Sequence, residues 1–282
     1  MQTALQYIQS ELHGLYPETE IKSFGLLIIE KLTGFTRTQI IVNKNTQFSI
    51  EQQHEIKKIV EKIKNNIPIQ YILGETEFYG LPFKVNESVL IPRPETEELV
   101  EWILSENPVE ERLNLLDIGT GSGCIAISLK NSSPDWSLDA FDISKDALLT
   151  ATQNAILNGV NVTFSEVDIL NPPALIGRKW DIIVSNPPYV LESEKSEILP
   201  NVLNHEPHLA LFVTDNDGLL FYRHIAQFAK QHLKQNGQLF FEINRMFGKM
   251  TVDLLESMGF CSVELRKDIS GNDRMIKAVF EG

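Results

Sequence analysis

Asn114-Leu115-Leu116-Asp117-Ile118-Gly119-Thr120-Gly121-Ser122-Gly123-Cys124-Ile125-Ala126 reads as a strand, a glycine-rich turn and the first turn of a helix. Glycines permit a tight turn and let the backbone come close to a ligand. In open α/β sheets ligands bind outside the carboxyl ends of the strands, which is where this turn falls. On its own the turn is weak, because tight strand-to-helix connections also use glycine for steric reasons. Its spacing is Gly-x-Gly-x-Gly, not the Gly-x-Gly-x-x-Gly of a dinucleotide pyrophosphate site. Asp117 stands just ahead of it, where a negative charge opposes a pyrophosphate but suits an amino group or a sulfonium.

Outward from the turn, the run Trp136–Phe141 ends in Phe141-Asp142. This acid lies about 20 residues beyond the glycines, where a carboxylate accepts from both hydroxyls of a ribose. Asp142 can also cap the helix that follows. In Glu166-Val167-Asp168-Ile169-Leu170, Asp168 is placed to accept from an adenine amino group, with Ile169 packing on the ring; a loop cap is the competing role for Asp168. Gly119, Thr120, Gly121, Ser122, Gly123, Asp117, Asp142, Asp168 and Ile169 are therefore the candidate residues for an adenosyl ligand without phosphates.

The rest of the chain after about residue 112 alternates short apolar runs with amphipathic stretches. The runs are 113–116, 136–141, 162–164, 181–185, 239–243, 262–266 and 275–280; the stretches include 145–157, 219–233 and 249–258. Such alternation predicts an α/β domain with a mainly parallel sheet and helices on both faces. Only Lys267 to Arg274 separates the last two strands, too short for a parallel crossover, so they are expected to close as an antiparallel pair. Residues 1–73 read as a small helical bundle, with apolar stripes at Leu5, Ile8, Leu12, at Ile21, Phe24, Ile28, Leu32, and at Ile56, Ile59, Val60, Ile63. Gly14, Pro17 and Gly34 break these stripes, and Ser49 with Gln52 forms a capping box. Residues 74–92 form a hairpin linker around a Gly-Pro-containing turn, and the domain from 93 to 282 opens with a helix whose first residue is Pro94.

The chemistry lies in Asn186-Pro187-Pro188-Tyr189, at the carboxyl end of the run Trp180–Ser185. Proline has no backbone N–H, so the segment is rigid and rich in acceptors. An incoming NH₂ group can give one hydrogen to the Asn186 side-chain oxygen and the other to a backbone carbonyl, that of Pro187. An amide or aromatic-amine nitrogen is a poor nucleophile because its lone pair is delocalised. Holding both hydrogens directs that lone pair at a methyl donor, and Tyr189 can stack on the planar group. Asn186, Pro187 and Tyr189 are thus the candidate catalytic residues, and Asn186–Tyr189 the candidate substrate pocket. Methyl transfer from a sulfonium needs no metal and no general base. Asn171-Pro172-Pro173-Ala174 repeats the first three residues but lacks the preceding strand and the aromatic, so it reads as an ordinary loop.

Composition narrows the partners. With 38 acidic against 25 basic residues the formal charge is −13, which argues against an enzyme that lives on phosphate backbones and suits a basic partner. Cys124 and Cys261 have no metal-ligand spacing and read as buried reduced thiols; His205-Glu206-Pro207-His208 reads as a loop, since no third ligand lies near it. The apolar runs are too short to span a bilayer and the N-terminus lacks a secretory pattern, so a cytoplasmic protein is expected.

The linker carries the most specific signature. Pro68-Ile69-Gln70-Tyr71-Ile72-Leu73-Gly74, Phe78-Tyr79-Gly80, Phe83-Lys84-Val85 and Val89-Leu90-Ile91-Pro92-Arg93-Pro94-Glu95-Thr96-Glu97, with the Asn-Pro-Pro-Tyr box, resemble the protein-(glutamine-N5) methyltransferases of peptide-chain release factors, the PrmC/HemK family. The resemblance covers nearly the whole chain. It implies a class I, Rossmann-like methyltransferase domain behind a release-factor-docking helical bundle. It also implies S-adenosylmethionine as cofactor, the glutamine of a Gly-Gly-Gln loop as substrate, and Asn186 as a cofactor-binding residue that touches both; a monomer with no direct nucleic-acid substrate is expected. His205-Glu206-Pro207 matches the family's aromatic-Glu-Pro stretch with His in place of the aromatic. Two departures stand out: Ile169 replaces an aromatic beside adenine, and Glu242–Gly248 lacks the family's usual glycine and glutamine. An adenine-N6 or guanine-N2 nucleic-acid methyltransferase, acting on a flipped base, is the alternative enzyme. An adenosyl-binding interaction module is the non-enzymatic one.

Overall fold

Glycine, proline and capping residues divide the N-terminal region of the computed structural model, which describes residues 1–282, into five helices. These are α1 (Gln2–Leu12), α2 (Glu18–Thr33), α3 (Arg37–Val42), α4 (Ile50–Lys64) and α5 (Ile69–Leu73). Gly34 ends α2 at φ +69°, a left-handed conformation that costs glycine no Cβ clash. Capping boxes start α3 (Thr36 with Gln39) and α4 (Ser49 with Gln52). The stripe residues are buried except Leu5 and Leu32, which are half-buried. A Cβ on Gly25 would stand 2.7 Å from Leu5 Cδ2, so α1 packs closely on α2 only because this residue is glycine. This unit spans Met1–Gly74 and takes in the short helix Pro200–His205 from far along the chain.

The second unit, Glu75–Leu199 with Glu206–Gly282, begins with the hairpin of β1 (Glu75–Phe78) and β2 (Leu81–Lys84). Its turn is Tyr79-Gly80, both at positive φ (51° and 71°), the mirror-image turn that matches strand twist. Pro82 therefore sits inside β2 and not in the turn as expected. The Tyr79 N–H is held by Glu97 Oε1 at 2.9 Å. There follow α6 (Pro94–Glu106), β3 (Asn114–Ile118), α7 (Cys124–Ser132), β4 (Ser137–Asp142), α8 (Lys145–Leu157), β5 (Thr163–Glu166) and β6 (Trp180–Ser185). After β7 (Val190–Leu191), α9 (Pro200–His205, counted with the first unit), α10 (His208–Leu211) and β8 (Phe212–Val213) come α11 (Leu220–His232), β9 (Leu233–Glu242), α12 (Gly248–Ser257), β10 (Cys261–Lys267) and β11 (Asp273–Phe280). His205 and His208 thus end and begin two short helices instead of lying in a plain loop.

The main sheet has the order β10-β11-β9-β6-β3-β4-β5. Neighbours from β9 to β5 are parallel; β11 is antiparallel to both β9 and β10 and lies between them. The alternating side chains of the central strands supply two cores. Leu115, Ile182, Val184 and Phe240 pack with α6, α7 and the hairpin residues Phe78 and Phe83. Leu116, Ile183, Leu239 and Phe241 pack with α11 and with Leu255 of α12. Each of these strand residues is at most 1% exposed, which sets the sheet rigidly enough for the loops at its carboxyl edge to hold a site.

Asn154 of α8 is fully buried and joins three segments. Its Nδ2 donates to Lys84 O (3.0 Å) and Ser122 O (2.9 Å), and its Oδ1 accepts from Lys84 N (2.6 Å). Hairpin and glycine turn are thereby fixed to one helix. The two cysteines are free and half-buried, not buried: Cys124 opens α7 on a cavity wall and Cys261 lies on the edge strand β10.

Candidate active site

The carboxyl ends of β3, β4, β5 and β6 converge on a cavity of about 480 Å³. That volume suits a small molecule or cofactor. Behind β3, Gly119, Gly121 and Gly123 take φ of 73°, 55° and 82°. The N–H groups of Gly119 and Thr120 donate to Phe141 O at 2.8 and 3.0 Å, tying the turn to the end of β4. Gly123 has a steric reason as well: a Cβ there would meet Ile127 Cδ1 at 2.8 Å and Ala151 Cβ at 3.2 Å.

Asp142 Oδ2 accepts from Gly121 N–H at 2.8 Å and Oδ1 from Ser144 N–H at 2.9 Å. The helix cap considered for Asp142 belongs to Ser144, whose hydroxyl accepts from Ala147 N–H. Burial raises the Asp142 pKa against the pull of these backbone N–H groups. Asp168 caps its own loop, accepting from Leu170 N–H (2.9 Å) and Asn171 Nδ2 (3.0 Å), while both it and Ile169 face the cavity. Asp117 lies beneath the turn, fully buried and off the cavity wall. Thr120 Oγ1 donates to its Oδ2 at 2.6 Å, yet burial dominates and pushes its pKa up to about 7.

Opposite the turn, Ser185 Oγ donates to Ile118 O at 2.7 Å, locking the end of β6 to β3. Asn186, Pro187 and Pro188 then line the cavity; Tyr189 does not. Its ring packs on the core, its hydroxyl donates to Glu242 Oε1 at 3.2 Å, and its carbonyl accepts from Asn244 Nδ2 at 3.1 Å. Burial and the nearby Glu242 hold the Tyr189 phenol far above its ordinary pKa, so it stays protonated.

Of the candidates, Gly119, Thr120, Gly121, Ser122, Asp142, Asp168, Ile169 and Asn186–Pro188 share the wall, while Asp117, Gly123 and Tyr189 support it from behind. The structure adds Ser88–Leu90, Arg93, Thr96, Cys124 and Phe221 to the wall. Arg93 is the wall's one cation, and its Nη2 is paired with buried Glu206 at 2.5 Å. Glu206 also accepts from Ile91 N–H at 3.2 Å, anchoring the linker beside the cavity. A carboxylate, exposed backbone of a glycine turn, apolar walls and no free cation fit a phosphate-free adenosyl group. Although its side chain is half-buried, the surrounding protein desolvates the Cys124 thiol and pushes it up to about 12, so it carries no thiolate at neutral pH. No local sequence pattern marks Thr96 or Glu242, which meet across the fold. No group of three or more His, Cys, Asp or Glu is placed to hold a metal, and no helix is long and apolar enough to cross a membrane.

A parallel sheet with one reversed strand, bearing this cavity and an Asn-Pro-Pro-Tyr loop at its carboxyl edge, is a class I, Rossmann-like methyltransferase. Residues 96–209 match the methyltransferase small domain family and residues 3–74 the PrmC N-terminal domain family. The chain is 52% identical to the release factor glutamine methyltransferase of Flavobacterium psychrophilum, over 98% of this chain and 97% of that one. It is 46% identical to that of Bacteroides thetaiotaomicron, over 96% and 97%. The crystal structure of a methyltransferase from Pyrococcus furiosus shares the fold, with a TM-score of 0.54 at 17% identity over 82% of this chain and 98% of that one. The chain belongs to the release factor glutamine methyltransferase family, and its cofactor is S-adenosylmethionine.

Proposed function

We propose that this protein methylates the side-chain amide nitrogen of the glutamine in the Gly-Gly-Gln loop of class I peptide-chain release factors, in support of translation termination. The observation that carries this reading is Asn186, on the cavity wall at the end of β6 and followed by two prolines without N–H groups. When bound, S-adenosylmethionine supplies a methyl group on a positively charged sulfur, which leaves as a neutral thioether.

The chain's own residues provide position and electrostatics. Asn186 Oδ1 and the Pro187 carbonyl accept the two amide hydrogens of the glutamine, which localises and aims the nitrogen lone pair. With the cofactor bound, transfer of its methyl group to that nitrogen would release the neutral thioether, and one amide proton would leave to solvent. Tyr189 keeps its proton and acts by holding the loop. Asp142 retains lone pairs beyond the two backbone N–H groups it accepts, and these would receive the ribose hydroxyls. Asp168 and Ile169 would hold the adenine, and Gly119–Ser122 would line the rest of the cofactor. Asp117 and Gly123 act through the turn they shape. The helical unit docks the protein substrate, and the enzyme works in the cytoplasm as a monomer without a nucleic-acid substrate.

The test is transfer of labelled methyl from S-adenosylmethionine to a purified release factor and to the same factor with its Gly-Gly-Gln glutamine replaced. Label in the first and none in the second is expected. Equal labelling of both, or transfer to DNA or RNA instead, would overturn the substrate assignment.

A further inference from the structure

An asparagine amide fits its site in two orientations of nearly equal shape and opposite hydrogen-bonding sense. Only one of them presents Oδ1 of Asn186 to an incoming NH₂ group. Beneath Asn186 lie two buried side chains, Thr96 of α6 and Glu242 at the end of β9, each 2% exposed. Thr96 Oγ1 donates to Glu242 Oε2 at 2.6 Å, and the other carboxylate oxygen accepts the Tyr189 hydroxyl. A threonine hydroxyl has one proton. With that proton committed to Glu242, Oγ1 can only accept from its remaining neighbour, and it accepts from Asn186 Nδ2 at 3.4 Å. The reversed amide would set Oδ1 against the lone pairs of Oγ1, leaving two acceptors facing each other without a proton.

We propose that Glu242 and Thr96 form a proton-ordered relay that turns the Asn186 amide so that its oxygen faces the substrate nitrogen. Both are positioning residues: neither accepts from the substrate. The relay requires Glu242 to act as an acceptor. Burial is the largest influence and raises the Glu242 pKa above its ordinary value; the Thr96 hydroxyl, the Arg274 guanidinium and the Tyr189 hydroxyl work against it, with Glu95 the nearby like charge, and the short contacts from Thr96 and Tyr189 place both carboxylate oxygens as acceptors. The relay joins the linker string that holds Thr96 to the strand that ends at Glu242. It rests on the reading that Asn186 Oδ1 accepts from the methylated amide.

Thr96→Val keeps the shape and removes the hydroxyl, while Thr96→Ser keeps the hydroxyl. Glu242→Gln keeps the shape; with its oxygen held by the Tyr189 hydroxyl it offers an NH₂ to Oγ1, which frees the Thr96 proton to point at Asn186 Oδ1 and favours the wrong amide orientation. Thr96→Val and Glu242→Gln are each expected to lower kcat by about tenfold to a hundredfold, the scale of a misplaced reacting group. The KM for S-adenosylmethionine should change far less than kcat, since both substitutions keep the shape of the cavity wall. Thr96→Ser should recover most of the rate, and the double variant should be no slower than the worse single one, as members of one relay are non-additive. Thermal melting confirms that each variant folds, and Glu242→Gln carries the test alone should Thr96→Val not fold. A folded Thr96→Val or Glu242→Gln with wild-type kcat, or Thr96→Ser as slow as Thr96→Val, would overturn the relay. Asn186→Ala separates the two levels: if it is inactive while Thr96→Val is fully active, only the relay falls. If Asn186→Ala itself turns over normally, the reading beneath it falls too.

Discussion

The tripeptide Asn-Pro-Pro occurs twice at the same edge of the sheet, after β5 and after β6, and the two copies lead different lives. Asn171-Pro172-Pro173 is exposed throughout, and the Asn171 side chain donates to Asp168, three residues away. Asn186-Pro187-Pro188 leaves a buried strand, and its partners come from elsewhere: Thr96 lies 90 residues from Asn186, and Glu242 lies 53 from Tyr189. Both copies supply carbonyls without N–H groups and a stiff backbone. What separates a loop from a candidate site is the floor beneath it and the distant side chains that fix its one rotatable amide.

The sharpest way to break this contrast is to remove each asparagine. Asn186→Ala should lower turnover by on the order of 10³-fold, comparable to losing one preorganised hydrogen-bonding group in an active site. Asn171→Ala should leave turnover within about twofold, because exposed positions away from special contacts are nearly neutral. Single-turnover assays under saturating cofactor compare the two directly, and equal losses would dissolve the distinction. A second comparison probes the floors. Ile183→Ala, fully buried in β6, should cost about 2–5 kcal/mol in urea denaturation. Ile176→Ala, 97% exposed beside the other copy, should stay within about 0.5 kcal/mol. The smallest effect is expected from completing the second motif. Ala174→Tyr in an Asn186→Ala background should restore no measurable methylation, and any recovery would mean that the four residues suffice without their support.

Much of this was legible along the chain because it depends on neighbours in sequence. The strand-turn-helix at Asn114–Ala126, the helix 145–157, the Ser49 capping box and Pro94 at the start of α6 are set by local periodicity and backbone chemistry, and the structure has each of them. The antiparallel pairing of the last two strands followed from loop length. Its insertion of β11 beside β9 did not, because strand order is decided by tertiary packing. Nor did the sequence separate wall from support. Asp117 faces down under the turn and Tyr189 inward to Glu242, and the direction of a side chain at a loop depends on what is packed behind it. Thr96 and Glu242 meet across 146 residues, beyond the reach of any spacing rule.

The place of β11 bears on how the enzyme comes into being. Every residue of the cavity wall precedes Lys230, yet the strand that seats Glu242 is flanked on one side by β6 and on the other by β11, where Met275 pairs with Glu242 and the Arg274 carbonyl takes the Ile243 N–H. A nascent chain still short of Asp273 has made its whole binding wall but not the strand that holds the carboxylate beneath it. The seat of that carboxylate is therefore complete only once β11 is in place, later in the chain than any residue of the wall.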